Sequence, residues 1–141
     1  MTAATVSPRL GDVAVGDELP AIDVVLTRTL IMATAIASRD YTEVHHDPGL
    51  AVERGSKDIF MNILSTNGFV GRLVTDWAGP DAVLKKVSIR LGAPNYPGDT
   101  MHLTGVVTAK DEATATVEVA VRGTNSLGNH VTGTVTLTLP T

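Results

Sequence analysis

Cysteine is absent from the 141 residues, which rules out a disulfide scaffold and every thiolate chemistry, catalytic or metal-binding. Aromatic residues are scarce, at 4%, so a core has to be built from Val, Leu, Ile and Ala. Concentrated positive charge is missing as well. The 11 Lys and Arg residues form no cluster longer than Lys85-Lys86, and the formal net charge is -4. Neutralising phosphates requires a dense basic footprint, so no nucleic-acid partner is expected. Long apolar runs are lacking too. The longest, Leu30 to Ala37, is too short to cross a bilayer and carries Thr34. Met1 to Leu19 holds no apolar block of signal-peptide length. The expectation is a soluble, cytoplasmic protein with no membrane partner.

What is present suits a folded domain. Hydrophobic residues make up 43% of the chain, too many for a disordered one, and the length is that of one domain, residues 1–141, with one sizeable core. Residues 1–20 contain Pro8, Gly11, Gly16, Asp17 and Pro20 and read as irregular surface structure. Ile22 to Leu26 is a short β-branched run, a candidate strand. Thr29 is placed to cap a helix from Leu30 to about Ser38, apolar almost all round and therefore expected to be heavily buried. Periodicity then disappears between Arg39 and Phe60, giving a loop of some twenty residues, a length that is uncommon in compact domains and usually functional. A longer helix follows from Met61 to Trp77, with Ile63, Val70, Val74 and Trp77 near one face. Gly68 and Gly71 in its interior each cost about 1 kcal/mol of helix propensity, and close packing against a sheet is the expected compensation.

The second half alternates with period two. Val83, Val87, Ile89 and Leu91 form one set; Met101, Leu103, Gly105 and Val107 another; then Val117, Val119 and Val121; and last Val131, Val135, Leu137 and Leu139. Polar residues fill the intervening positions, the mark of a half-buried antiparallel sheet. Turn residues separate the sets at Asn95 to Asp99, Lys110 to Glu112 and Asn125 to Asn129. The sum is an α+β domain: a long central helix, four strands of a curved sheet, and an earlier strand available to join it.

Chemistry concentrates in Arg39-Asp40-Tyr41-Thr42-Glu43-Val44-His45-His46-Asp47-Pro48. Asp40 stands where the first helix ends and His45 follows five residues later. In a continuous helix that offset would turn the two side chains about 140° apart, so they converge only if the helix stops and the chain doubles back. A carboxylate and an imidazole beside an apolar wall are the parts for general acid–base catalysis. A buried Asp–His hydrogen bond is equally a common structural device. Asn62 can cap the long helix through the amide of Leu64 or Ser65. The Ile63 amide then has no intrahelical acceptor and, with the helix dipole behind it, can hold a developing oxyanion; water satisfying that amide is the plain alternative. His45, His46 and Asp47 are consecutive, with no spaced His pair, so no metal is expected. His46 reads as a loop residue with local contacts, and His102 and His130 as surface residues. Lys57, Lys85 and Arg90 are candidates for binding the phosphates of a ligand, although exposed ion pairs account for them equally well. Trp77 and Phe60 read as core or interface anchors, and Phe60 can also line an acyl pocket.

The segment resembles the MaoC-like, or (R)-specific, enoyl-CoA hydratases. Asp40 and His45 keep that family's Asp-x4-His spacing, with Ala51 as the small residue beyond, while Arg39, Thr42 and Glu43 replace its Gly, Asn and Pro. Asn62-Ile63-Leu64 stands where the family has His-Gly-Met, and Pro94 to Thr100 resembles its Pro-x-x-x-Gly-Asp-Thr turn. Within the family, Arg39 to Pro80 is most similar to the small catalytic subunit of the actinobacterial steroid side-chain enoyl-CoA hydratase. The resemblance spans about Ile31 to Leu139. It implies a hotdog fold, with the sheet wrapped around the central helix, and catalytic roles for Asp40 and His45. It also implies hydration of a trans-2-enoyl-CoA bearing a bulky acyl group, with no cofactor beyond the CoA of the substrate. A second MaoC-like subunit is the implied partner; a copy of the same chain is the other possibility. A hotdog thioesterase and a non-catalytic supporting subunit are the rival functions.

Overall fold

Five antiparallel strands make up one sheet in the order β1-β3-β4-β5-β2: β1 Ile22–Val25, β2 Val83–Leu91, β3 Thr100–Asp111, β4 Thr116–Asn125 and β5 Gly128–Thr138. They are seen in a computed structural model that describes residues 6–141. Three helices accompany them, α1 Arg28–Ala37, α2 Pro48–Glu53 and α3 Ile63–Ala78. The alternation read from the sequence is the alternation observed. Met101, Leu103 and Val107 of β3, Val117, Val119 and Val121 of β4, and Val131, Val135 and Leu137 of β5 all point inward. They meet Val70, Leu73, Val74 and Ala78 of α3 in one continuous core. Each such side chain contributes about 1.5–3 kcal/mol by leaving water. A curled antiparallel sheet around a central helix is the hotdog arrangement, and the expected α+β class holds.

Several expectations need correction. The first helix begins earlier than Thr29 allows: Thr27 is its cap, and its hydroxyl accepts from the Leu30 amide at 3.0 Å. Nor is α1 heavily buried. Only Ile31 and Ala35 are, while Ile36 is 52% exposed. Apolar residues on its other faces lie on the surface. The stretch from Arg39 to Phe60 is not a continuous loop, because it holds a 3-10 turn over Glu43–His45 and α2, started by Asp47, whose carboxylate accepts from the Leu50 amide at 3.0 Å. The inward face of α3 excludes Ile63, which is 51% exposed, and includes Thr66 instead. Gly68 and Gly71 do not pack on the sheet either, since an added Cβ at each would meet nothing within 4 Å. The close approach is made from the sheet side. A Cβ on Gly105 would stand 3.2 Å from Leu19 and 3.5 Å from Leu73 of α3.

Strand β2 is less buried than its pattern suggests, with Val83, Leu84 and Leu91 exposed, because it is the sheet's outer strand and breaks register between Leu84 and Lys86. For the irregular N-terminal segment, residues 1–5 lie outside the described residues. The remainder is irregular but not superficial: Leu10, Val13 and Leu19 are buried, and the Leu19 amide donates to the Gly105 carbonyl at 2.9 Å. Among the described residues no helix is long and apolar enough to cross a membrane.

Candidate active site

The reversal that brings Asp40 toward His45 is a helix-ending motif. At the end of α1 the Arg39 amide donates to the Ile36 carbonyl and the Asp40 amide to the Ala35 carbonyl, both at 2.9 Å. This is the Schellman pattern, whose turning residue must adopt the left-handed conformation. Arg39 does so, with φ 58. Asp40 thereby leaves the helix axis, and the Thr42 amide donates to its Oδ1 at 3.2 Å. The 3-10 turn then delivers His45. The result is an Asp40 Oδ2 to His45 Nε2 separation of 3.4 Å, close enough for both atoms to share one water molecule.

Each partner is held from behind. His45 Nδ1 lies 2.7 Å from the Phe60 carbonyl oxygen. A carbonyl only accepts, so Nδ1 carries the ring proton and Nε2 presents its lone pair to the cavity whenever the imidazole is neutral. The Phe60 ring meets the imidazole edge-on, with centroids 4.9 Å apart. Asp40 Oδ2 accepts from Asn62 Nδ2 at 3.0 Å. That bond, followed by those from Thr42, holds the Asp40 carboxyl below its usual pKa of 3.8 against the opposing effect of desolvation. Asp40 is therefore a carboxylate at neutral pH.

Asn62 ties these parts to α3. Its Oδ1 accepts from the Ser65 amide at 3.0 Å and from the Ser65 hydroxyl, while Nδ2 also donates to Ser38 Oγ at 3.0 Å. With Asn62 as the cap, Ile63 is the first residue of the helix and its amide has no acceptor within the helix. Asp40, His45, Phe60, Asn62 and Ile63 all line one cavity of about 300 Å³, together with Leu91, Gly92, Pro94 and His130. Two hydrogen-bond acceptors for water and one free helix-start amide across an apolar cleft can activate a nucleophile and stabilise an oxyanion.

Comparison with known proteins bears on the family and the fold. Residues 13–128 match the MaoC like domain. The chain belongs to the MaoC-like family. It is 50% identical over 125 residues to the β subunit of the 3-oxo-4,17-pregnadiene-20-carboxyl-CoA hydratase of Mycobacterium tuberculosis, covering 89% of this chain and 95% of that protein. A chain in the crystal structure of the ChsH1-ChsH2 complex from Mycobacterium tuberculosis superposes with a TM-score of 0.87 at 48% identity, over 89% of this chain and 98% of the other. The unliganded R-hydratase PhaJ1 from Pseudomonas aeruginosa, at 19% identity, shares the fold with a TM-score of 0.86 over 95% of this chain and 86% of its own.

In this MaoC-like chain the other candidates fall in separate places. Lys57 does not line the Asp40–His45 cavity; it stands 5.8 Å over the Tyr96 ring, in a separate polar cavity of about 280 Å³ with Asp99 and Ser126. Arg90 lines a neighbouring cleft of about 160 Å³ that shares Leu91 and Gly92 with the Asp40–His45 cavity. His102 is on the surface as expected, paired with Asp23. His46 is half-buried, with no partner for Nδ1 among the described residues. Among those residues no group of three or more acidic or His side chains is placed to hold a metal ion.

His130 is the residue that sequence reasoning missed. Expected on the surface, it is 2% exposed. Its Nδ1 donates to the Ala93 carbonyl at 2.6 Å and its Nε2 sits 2.8 Å from Thr66 Oγ1. Period two from Val131 and Val135 puts position 130 outside. The ladder between β4 and β5, however, pairs Gly123 with Val131 and Thr124 with Asn129, so His130 is the extra residue of a bulge. Bulges re-aim a side chain, and they are frequent beside active sites.

Proposed function

We propose that this chain is the β subunit of an enoyl-CoA hydratase, a hydro-lyase of sterol side-chain breakdown that adds water across the double bond of 3-oxo-4,17-pregnadiene-20-carboxyl-CoA or a close analogue. The observation that carries the proposal is the 3.4 Å approach of Asp40 Oδ2 and His45 Nε2 in a cavity that also receives Ile63. The relatives named above supply the substrate class.

In this mechanism one water donates a hydrogen bond to each of the two acceptors, leaving an oxygen lone pair free to point at the β-carbon. As oxygen attacks, one O–H bond breaks and its proton passes to His45 Nε2. The α,β π electrons move toward the thioester carbonyl, whose oxygen takes negative charge against the Ile63 amide. The imidazolium, stabilised by the adjacent Asp40 carboxylate, returns the proton to the α-carbon on the same face. Positioned proton transfer contributes about 10²–10⁴-fold and an oxyanion donor about 10²–10³-fold.

The second subunit belongs to the same proposal. The relative is a β subunit by name, and this chain leaves Ile36, Leu64, Val83 and Leu84 exposed, more apolar surface on α1, α3 and β2 than an isolated chain needs. A partner MaoC-like chain covering part of it makes room for a bulky acyl group; the native mass of the purified complex reads this directly. Location in the cytoplasm, where acyl-CoA thioesters are made and consumed, follows from the substrate class and is read by cell fractionation.

The deciding experiment incubates the complex with the enoyl-CoA and, separately, with a saturated acyl-CoA. Loss of enoyl absorbance without release of free thiol supports hydration. Thiol release from the saturated thioester supports a thioesterase and overturns the proposal. Undiminished activity of a complex lacking both Asp40 and His45 side chains makes this chain a non-catalytic subunit.

A further inference from the structure

The first turn of α3 carries the amide assigned to the oxyanion, yet its first two side chains do little to fix it. Ile63 and Leu64 are both half exposed. The turn is tethered instead by polar groups on either side. Asn62 binds it to Ser38 and Asp40. On the sheet side, Thr66, fully buried and bonded through its amide to the Asn62 carbonyl at 3.2 Å, is held by His130. The His130 ring reaches from Thr66 Oγ1 to the Ala93 carbonyl, and Ala93 lies between Gly92 and Pro94, which line the same cavity as Ile63. The peptide of residue 130 is itself anchored, since the Gly92 amide donates to its carbonyl at 2.7 Å.

We propose that His130 is a positioning residue for the hydration reaction, spanning from the Gly92–Pro94 wall to Thr66 and thereby fixing the distance between that wall and the Ile63 amide. With Nδ1–H committed to Ala93, Nε2 is an acceptor and Thr66 donates to it, rather than back to the helix carbonyl one turn earlier as buried helical Thr commonly does. Burial pushes the imidazole below its ordinary pKa, which keeps this tautomer at neutral pH. Both ring nitrogens are engaged, so His130 transfers no proton.

The inference rests on the hydratase reading, and two measurements separate the failure of one from that of the other. Thr66→Val keeps shape and removes the donor. Turnover is expected to fall roughly ten- to a hundredfold, the cost of a misplacement of the order of 1 Å, with KM little changed. Thr66→Ser, which restores the hydroxyl, recovers most of the loss. Independently of any substrate, exchange of the hydrogen-bonded amides of residues 65 and 66 is expected to quicken at least tenfold in Thr66→Val and to return toward the parent rate in Thr66→Ser. A Thr66→Val protein that keeps parent exchange rates at 65 and 66 overturns the inference whether or not the chain is a hydratase. A hydratase whose Thr66→Val form keeps its turnover overturns it equally. Loss of turnover that Thr66→Ser fails to recover assigns Thr66 to packing alone and also overturns it.

Discussion

Replacing Arg39 by glycine acts on the one non-glycine residue that turns the chain between helix and catalytic segment. Arg39 holds φ 58, where an L-residue's Cβ crowds the following carbonyl at about 1–2 kcal/mol. Glycine removes that crowding but adds freedom to the unfolded chain, which costs about 0.4–1 kcal/mol. Arg39 is exposed, so its side chain takes little packing with it. The balance is a gain of about 0.5–1 kcal/mol, or a rise in Tm of roughly 2–4 °C for a chain of this size. Differential scanning calorimetry at neutral pH measures it, with Arg39→Ala as the control that keeps the Cβ and is expected near the parent value. The two amide bonds of the turn use only main chain, so turnover on the enoyl-CoA should stay within about twofold. The mirror experiment is Gly55→Ala. Gly55 turns the end of α2 at φ 94, with its amide on the Val52 carbonyl, and alanine there should cost about 1 kcal/mol or more. If Arg39→Gly lowers Tm, or if glycine and alanine at 39 behave alike, conformational strain at this turn is not what the φ value indicates.

Asp40→Asn and His45→Ala should each lower turnover by about 10²–10⁴-fold with Tm nearly unchanged, and a folded Asp40→Asn protein with near-normal hydration ends the assignment. Asn62→Ala deletes the largest influence lowering the Asp40 pKa, so the Asp40 carboxyl should titrate at higher pH, read by carboxyl carbon NMR. The sign for stability follows: a carboxylate whose folded pKa lies below 3.8 stabilises the fold above that value and loses this contribution as pH falls through the folded pKa. Acid unfolding of Asn62→Ala should therefore be less steep below pH ~4, on top of about 1 kcal/mol lost with the helix cap at every pH. Leu73→Ala, opening a cavity where α3 meets the sheet, should cost about 2–5 kcal/mol by chemical denaturation.

The strands were legible because one face of each is buried and the side-chain period is two, so hydrophobic spacing and burial are the same fact seen twice. Asp40 and His45 were legible for the opposite reason: helical periodicity stops there and titratable groups take over. The misses have physical causes of their own. Thr27 and Thr29 are equally good caps by chemistry, and only the backbone extended at Thr27 chooses between them. An apolar run such as α1 declares that water is to be avoided but not which surface will cover it, and in the isolated chain Ile36 remains uncovered. His130 was hidden because one extra residue in β5 reverses the inside–outside parity from that position back to the start of the strand, so that Asn129 is exposed and His130 buried. Arg39 concealed the sharp turn, since the left-handed conformation is ordinarily signalled by glycine. Lys57 and Arg90 carry charge compatible with phosphate, but charge has no address in a sequence, and only the fold distributes them to different clefts.

One consequence follows from the hydrogen bond that sets the tautomer of His45. Its acceptor is the main-chain oxygen of residue 60, which every amino acid supplies, while the Phe60 side chain borders the same cavity. Proton location and cavity shape thus hang on one residue through separate atoms. A smaller or larger side chain at that position can re-tailor the room offered to an acyl group, and the imidazole will keep the same nitrogen turned toward the water.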